Sequence, residues 1–115
     1  DFVIGGSAAG GTSNAVEVYD PATDTWTSVA SMSTARSRPA AVALRGKVYV
    51  FGGYDGSNYL DTAEVYDPSA GTWNTAPSMP AANQGMACAV VDGRACLCGG
   101  YAGGYNDTVY ENVLE

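Results

Sequence analysis

The sequence predicts an all-β fold made of repeated four-stranded antiparallel sheets, and three observations lead to this class. Glycine is abundant, with 15 residues among 115, and only 15% of residues are charged, a composition that favours turns over helical bundles. Short apolar segments alternate with turn residues, and none keeps helical spacing over about 11 positions. Finally, the chain repeats itself every 47 residues, which predicts an array of similar structural units.

The repeat is defined by several residue types that keep the same spacing. A diglycine stands at the same place in three successive repeats, and the segment EVYDP occurs at 17–21 and again at 64–68. One tryptophan and the dipeptide SM recur at the same interval. Because glycine serves turns and aromatic side chains serve cores, we expect the recurring positions to be structural. These positions are Gly5, Gly6, Tyr19, Trp26, Gly52, Gly53, Tyr66, Trp73, Gly99 and Gly100.

The chain holds about two and a half of these units. Residues 32–78 form a complete unit. Residues 1–31 form a unit that lacks its first strand, and residues 79–115 form a unit that lacks its last strand and ends near TVYENV. The predicted strands of the complete unit are 39–44, 47–52, 63–67 and 72–76, with turns at Arg45-Gly46, around 55–61 and at 68–71.

A sheet of only four strands must bury its faces against neighbouring sheets. The third and fourth strands carry an aromatic pair seven residues apart, Tyr19 with Trp26 and Tyr66 with Trp73. Such rings fill the space between stacked sheets, and burying one stabilises the fold by roughly 4 to 6 kcal/mol at most. We therefore expect the units to stack through these aromatic residues.

The three cysteines lie in the last unit and do not have the spacing of a metal site. The chain has no histidine and no C-x-x-C motif, so a structural zinc site is not expected. A two-residue hairpin at 92–93 would place Cys88 and Cys96 on opposite faces of the sheet, which argues against a disulfide. We expect Cys88, Cys96 and Cys98 to be small, buried, reduced residues. The hairpin pairs Val91 with Arg94, Ala89 with Cys96 and Cys88 with Leu97.

One long segment carries a recognisable pattern, VYVFGGYDGSNYLDTAEVYDPSAGTWNTAPSM. A diglycine ends the second strand, a tyrosine and then a tryptophan follow, and a methionine and an arginine precede the next strand. This pattern resembles the kelch repeat, whose units of about 50 residues form the blades of β-propellers. The resemblance covers all but the last few residues, where ENVLE departs from EVYDP and Leu114-Glu115 could be a cloning remnant.

The resemblance implies an incomplete ring, because kelch propellers hold about six or seven blades, within the range of about four to eight seen in propellers. Three explanations stay open. The chain is a fragment, or copies of it associate to complete the ring, or a further part has not been seen.

The glycine-rich segment GSAAGGTS comes close to a phosphate-binding loop. Gly5, Gly10 and Thr12 fit that pattern, but Gly11 stands where the loop needs lysine. The segment is also a length-matched copy of the loop that follows Gly52, and both lead to a strand, whereas a phosphate loop opens a helix. We therefore expect neither nucleotide binding nor any other cofactor.

No catalytic constellation is evident in the sequence. The absence of histidine removes the usual serine and cysteine triads. The carboxylate pairs Asp20 with Asp24 and Asp61 with Glu64 fall in turns and strand edges. A glycosidase-type pair stays an alternative, because only the distance between the carboxylates excludes it. The sequence favours a protein that is not an enzyme.

The charge of the chain limits the choice of partners. Twelve acidic against five basic residues give a net charge of −7, and the basic residues form no run, so nucleic acid is not expected. No apolar run reaches the roughly 18 residues that cross a membrane. Together with reduced cysteines, these features favour a cytoplasmic protein.

The resemblance also places the candidate binding residues. In kelch adaptors of cullin-type ubiquitin ligases, the residue after the diglycine and the second arginine of an R-x-R linker face the ligand. The third unit departs from this pattern, with Asn83 and Gly85 in place of the two arginines. Loop tyrosines could instead cover blade edges, and the first arginine could instead hold neighbouring carbonyls. The candidates are Arg36, Arg38, Tyr54, Tyr59, Tyr101 and Tyr105.

The resemblance implies a non-enzymatic module that binds a protein or peptide, as the substrate receptor of a ubiquitin ligase does. Two alternatives stay open. Kelch arrays also occur in galactose oxidase-like enzymes and sialic-acid mutarotases, so channel aromatics could stack on sugars. A cytoskeletal, actin-binding role has the same physical basis.

Overall fold

A computed structural model describes residues 2–8, 11–103 and 109–112, and within them every regular element is a β-strand. The predicted all-β class is therefore confirmed. The strands are β1 (Phe2–Ile4), β2 (Ser7–Ala8), β3 (Gly11–Thr12), β4 (Val16–Asp20), β5 (Thr25–Val29), β6 (Ala40–Leu44), β7 (Lys47–Phe51), β8 (Ala63–Asp67), β9 (Thr72–Ala76), β10 (Ala87–Val91), β11 (Arg94–Cys98) and β12 (Val109–Asn112).

The strands form three antiparallel sheets and one small hairpin. The central sheet has the order β6-β7-β8-β9, which confirms the predicted four-stranded meander, and its strands begin and end within one residue of the predicted positions. The first sheet has the order β1-β4-β5 and the third has the order β10-β11-β12. The small hairpin pairs β2 with β3 inside a segment that the sequence predicted as a loop.

The central sheet is covered on both faces. Val50 and Phe51 are neighbours on β7 and both have 0% exposure. Because successive side chains of a strand point to opposite faces, each of them belongs to a different core. Val50 packs with Val16 of the first sheet, and Phe51 packs with Leu97 of the third. The strand therefore reads as a continuous apolar run, as expected for a strand buried on both sides.

The aromatic pair of the central sheet lies at the junction with the first sheet. The rings of Tyr66 and Trp73 are 5.1 Å apart, and Trp73 Nε1 donates a hydrogen bond of 2.7 Å to the carbonyl oxygen of Ala30. The first sheet carries the same pair, Tyr19 and Trp26, at 5.0 Å, but Trp26 is 55% exposed. Within the described residues, no sheet covers that face.

The hairpin of the third sheet has the predicted register. Cys88 lies opposite Leu97 and Cys96 lies opposite Ala89, so the two thiols are on different faces, and all three cysteines are free. Burial is the main cause that raises the pKa of Cys88 to about 11. The prediction that all three are buried is wrong for Cys98, which is exposed because no further sheet packs on its face within the described residues. Cys88 and Cys96 are only half-buried.

Candidate binding site at the loop end of the sheets

The antiparallel strands give each sheet two different ends. Ala40 pairs with Phe51, so the linker before β6 and the loop after β7 lie at the same end, which we call the loop end. Leu44 pairs with Lys47 at the opposite end, where the hairpin turns lie. The basic residues Arg45, Lys47 and Arg94 all belong to that opposite end. The other two basic residues, Arg36 and Arg38, lie in the linker at the loop end.

Arg36 is one of these two, and it is buried. Its side chain is 1% exposed and forms an ion pair with Glu64, with 3.1 Å between Nη2 and Oε2. Its Nη1 donates to the carbonyl oxygens of Gly52 and Thr62, at 2.8 and 2.9 Å. The other carboxylate oxygen of Glu64 accepts hydrogen bonds from the backbone N–H and the hydroxyl of Ser33. We call this group the Arg36 clamp; it ties the linker of the first unit to the central sheet.

The expectation that Arg36 contacts a partner is therefore wrong. Its guanidinium is enclosed and all of its nitrogens donate to protein oxygens. The alternative interpretation, an arginine that holds neighbouring carbonyls, fits the geometry.

Asn83 takes the equivalent place at the junction of the central and third sheets. It is 0% exposed, and its Nδ2 donates a 2.6 Å hydrogen bond to the carbonyl oxygen of Gly99, the counterpart of Gly52. Its Oδ1 accepts from the backbone N–H of Gln84 at 3.0 Å. This junction therefore keeps the carbonyl contact of the Arg36 clamp but holds it with a neutral side chain.

Arg38 differs from Arg36 in every respect that matters for binding. It is exposed, and within the described residues its guanidinium forms no ion pair and no side-chain hydrogen bond. Its backbone has a φ of +52°, a left-handed conformation that L-residues other than glycine rarely adopt. The next repeat has Gly85 at this position, with a φ of +66°. The first linker thus keeps an arginine where the repeat geometry suits glycine.

Arg38 lines a pocket of about 230 Å³ between the two linkers. The other walls come from Gln84, Gly85, Gly100 and Tyr101. Two hydrogen bonds fix one wall, from Gln84 N–H to the Tyr101 carbonyl at 3.1 Å and from Tyr101 N–H to the Gln84 carbonyl at 2.9 Å. A third, from Gly85 N–H to the Arg38 carbonyl at 2.8 Å, joins the linkers. The pocket therefore combines an unpaired guanidinium with a carboxamide and a phenol ring.

Three of the predicted tyrosines lie side by side next to this pocket. The ring centroids of Tyr54 and Tyr59 are 5.1 Å apart, and those of Tyr59 and Tyr101 are 6.0 Å apart. All three residues are half-buried. We call them the tyrosine row. Tyr105, the fourth candidate, lies outside the described residues.

Asp55, the acidic residue that follows Tyr54 in sequence, is engaged in its own turn. Asp55 Oδ1 accepts hydrogen bonds from the backbone N–H groups of Ser57 and Asn58, at 2.8 and 2.6 Å. These bonds hold the pKa of Asp55 below its usual value. The carboxylate is therefore ionised and committed to shaping the loop between β7 and β8.

Sequence reasoning did not identify Gln84 as a wall of the pocket. Gln84 is the repeat counterpart of Ser37, and both form backbone bridges, with Tyr101 and Tyr54 respectively. A position whose backbone role recurs while its side chain changes is a signal for specificity, and this signal was present in the repeat.

The part of the chain that the structure describes holds neither a metal site nor a membrane-spanning helix. Among the residues that it describes, no group of three or more His, Cys, Asp or Glu could hold a metal ion. None of the described residues form a helix long and apolar enough to cross a membrane.

Comparison with known proteins gives consistent matches. The Kelch motif family matches residues 2–33 and 35–80. An F-box/kelch-repeat protein from Arabidopsis thaliana is 44% identical over 54 residues, which is 47% of this chain and 14% of that protein. Kelch-like protein 5 from Homo sapiens is 54% identical over 44 residues, covering 38% and 6% of the two chains. Kelch-like protein 7 from Homo sapiens is 40% identical over 53 residues, covering 46% and 9%. The matched region thus spans a small part of each of these relatives.

Proposed function

The chain belongs to the kelch-repeat family, and from this premise we propose that it is a protein-interaction module whose loop end binds a peptide or protein partner without enzymatic chemistry. In this proposal the sheets and the Arg36 clamp are scaffold, and the pocket of Arg38 is the recognition site. Arg36 and Arg38 are two residues apart in sequence, yet only Arg38 is exposed to a partner.

The observation that carries the proposal is the exposed guanidinium of Arg38 at the pocket, unpaired among the described residues, on a left-handed backbone where the next repeat has glycine. A non-glycine residue in this region costs about 1 to 2 kcal/mol, and the equivalent position of the next repeat avoids that cost with Gly85. Strained positions of this kind concentrate at ligand sites. A guanidinium fork binds carboxylates through two parallel hydrogen bonds, so an acidic group of the partner is the expected contact.

A finer assignment follows from the same residues. Arg38 and the tyrosines that follow two of the diglycines, Tyr54 and Tyr101, match the ligand-facing positions of kelch adaptors in cullin-type ubiquitin ligases. This similarity supports a substrate receptor of a ubiquitin ligase, and the three free thiols support a reducing, cytoplasmic location.

A second candidate function is sugar binding. The tyrosine row offers aromatic rings on which a sugar could stack, and this feature is what favours it. A copper-dependent oxidase normally requires histidine ligands, and the chain has no histidine.

The test uses two arginine-to-glycine variants of the full chain. Arg38→Gly and Arg45→Gly remove the same charge from backbones with nearly the same φ, +52° and +53°, but Arg45 lies at the opposite end of the sheet. We expect proteins captured by the wild type in a pull-down to be captured equally by Arg45→Gly and lost from Arg38→Gly, with neither variant less stable to heat. Equal capture by all three proteins would refute the assignment of the site.

A further inference from the structure

The tyrosine row and the Arg38 pocket form one continuous surface. Tyr101 belongs to both, because it lines the pocket and its ring lies 6.0 Å from that of Tyr59. Tyr59 in turn contacts Tyr54. A ligand held by Arg38 therefore lies directly beside a set of three aromatic rings.

The fold of the loop does not require these tyrosines. Tyr54 and Tyr59 form an antiparallel backbone bridge within the loop of the central unit. The first unit forms the same bridge at the equivalent positions, 47 residues earlier, where Ser7 pairs with Thr12. The same backbone geometry is thus made with two small hydroxyl residues. Tyrosine at these positions must be explained by something other than the shape of the loop.

The backbone that carries two of these rings is fixed by hydrogen bonds within the protein, and neighbouring rings pack against each other. Two backbone hydrogen bonds join Tyr54 to Ser37, at 2.8 and 2.9 Å, and two join Tyr101 to Gln84. Neighbouring rings are tilted by 55° and 65°, an arrangement in which aromatic edges meet faces. Rigid tyrosines supply contact area at a low cost in conformational entropy, which is why binding surfaces favour them.

We propose that the ligand of this site is a peptide segment that carries two anchors, a carboxylate bound by Arg38 and a nearby ring side chain, proline or aromatic, packed on Tyr59 and Tyr101. The proposal rests on the proposed function, namely that the loop end binds a peptide. It adds a second requirement to the ligand, a ring side chain that packs on the tyrosine row beside the Arg38 pocket.

The experiment is a selection of a phage-displayed library of random dodecapeptides on the full chain. We expect the enriched peptides to share an acidic residue and a proline or aromatic residue at a constant spacing. One selected peptide is then synthesised and measured against variants. Tyr59→Thr copies the residue of the first unit, Thr12, and keeps the backbone bridge, while Arg45→Gly serves as the charge-matched control at the opposite end of the sheet.

Tyr59→Thr and Arg38→Gly should each remove a different part of the peptide preference, the ring and the acidic residue respectively. Tyr59→Thr should weaken the binding of the selected peptide by about tenfold. In a repeated selection on this variant, the enriched peptides should keep the acidic residue and lose the preference for a ring. Arg38→Gly should lose the acidic preference and keep the ring. Melting temperatures of all variants are measured in parallel, and a variant that has unfolded is replaced by Tyr59→Leu or Arg38→Asn, which test the same two anchors.

The outcomes separate this proposal from the proposed function. Peptides with an acidic residue but no ring preference would overturn the two-anchor proposal and leave peptide binding in place. Failure of the library to yield any enriched peptide would overturn both. Binding of sialic acid or glucuronate on a glycan array, with no peptide enriched, would show that the anchors serve an acidic sugar instead.

Discussion

Replacing Arg36 by methionine should be among the most destabilising single substitutions in this chain. Methionine retains much of the side-chain volume but removes the charge and every hydrogen bond of the guanidinium. Glu64, whose side chain is 7% exposed, would then keep only the two hydrogen bonds from Ser33. The Gly52 carbonyl would lose the hydrogen bond from Arg36, and the Thr62 carbonyl would keep only the one from the Gly52 N–H. Breaking a buried ion pair by removing one partner costs about 3 to 5 kcal/mol.

Urea unfolding of the full chain, followed by circular dichroism, measures this loss. The matched comparison is Arg36→Met combined with Glu64→Gln. Since the double variant leaves no buried charge unpaired, it should be more stable than Arg36→Met alone. A loss of less than about 1 kcal/mol for Arg36→Met, a value typical of exposed ion pairs, would refute the view that the clamp holds the first junction together.

Three further predictions concern the scaffold. Gly52→Ala should lower the free energy of unfolding by about 1 to 3 kcal/mol, because the φ of Gly52 is +62° and the new Cβ would lie 2.5 Å from the Asn83 carbonyl oxygen. Gly46→Ala is the control, since its new Cβ meets open space. Equal urea midpoints for the two variants would contradict the prediction. Trp73→Phe should lower the free energy of unfolding by about 1 kcal/mol, because it removes the hydrogen bond to Ala30, and Trp26→Phe should lower it much less. Similar losses for the two variants would argue against a stabilising role of this bond. Cys88 should react slowly with iodoacetamide at pH 8, because a pKa of about 11 leaves little thiolate. Peptide mass spectrometry that finds Cys88 labelled in the folded protein as fast as the exposed Cys98 would disprove it.

Local patterns explain why much of the fold was predictable. The strands of the central sheet and the register of the β10–β11 hairpin follow from alternation of apolar residues and from two-residue turns, which involve neighbours in sequence. The β2–β3 hairpin was missed because its segment is rich in glycine and small residues, which carry little strand signal.

The site was harder to predict because its features depend on contacts distant in sequence. Arg36 and Arg38 look alike in the sequence, and what separates them is Glu64, 28 residues after Arg36, whose carboxylate draws only the first of them into the junction. The tyrosine row likewise brings Tyr101 of the third unit against Tyr59 of the second unit. Residue type identified the candidates, but only the stacking of the sheets shows which ones share a surface.

The difference between the two junctions gives the array an order. Units with the same strands and the same spacing could in principle pack next to any neighbour, and an array that misaligned would still bury its apolar faces. A linker carrying Asn83 could not neutralise the buried carboxylate of Glu64, so exchanging the linkers would leave a charge unpaired inside the junction. At this junction the Arg36 clamp therefore disfavours any linker that lacks the arginine.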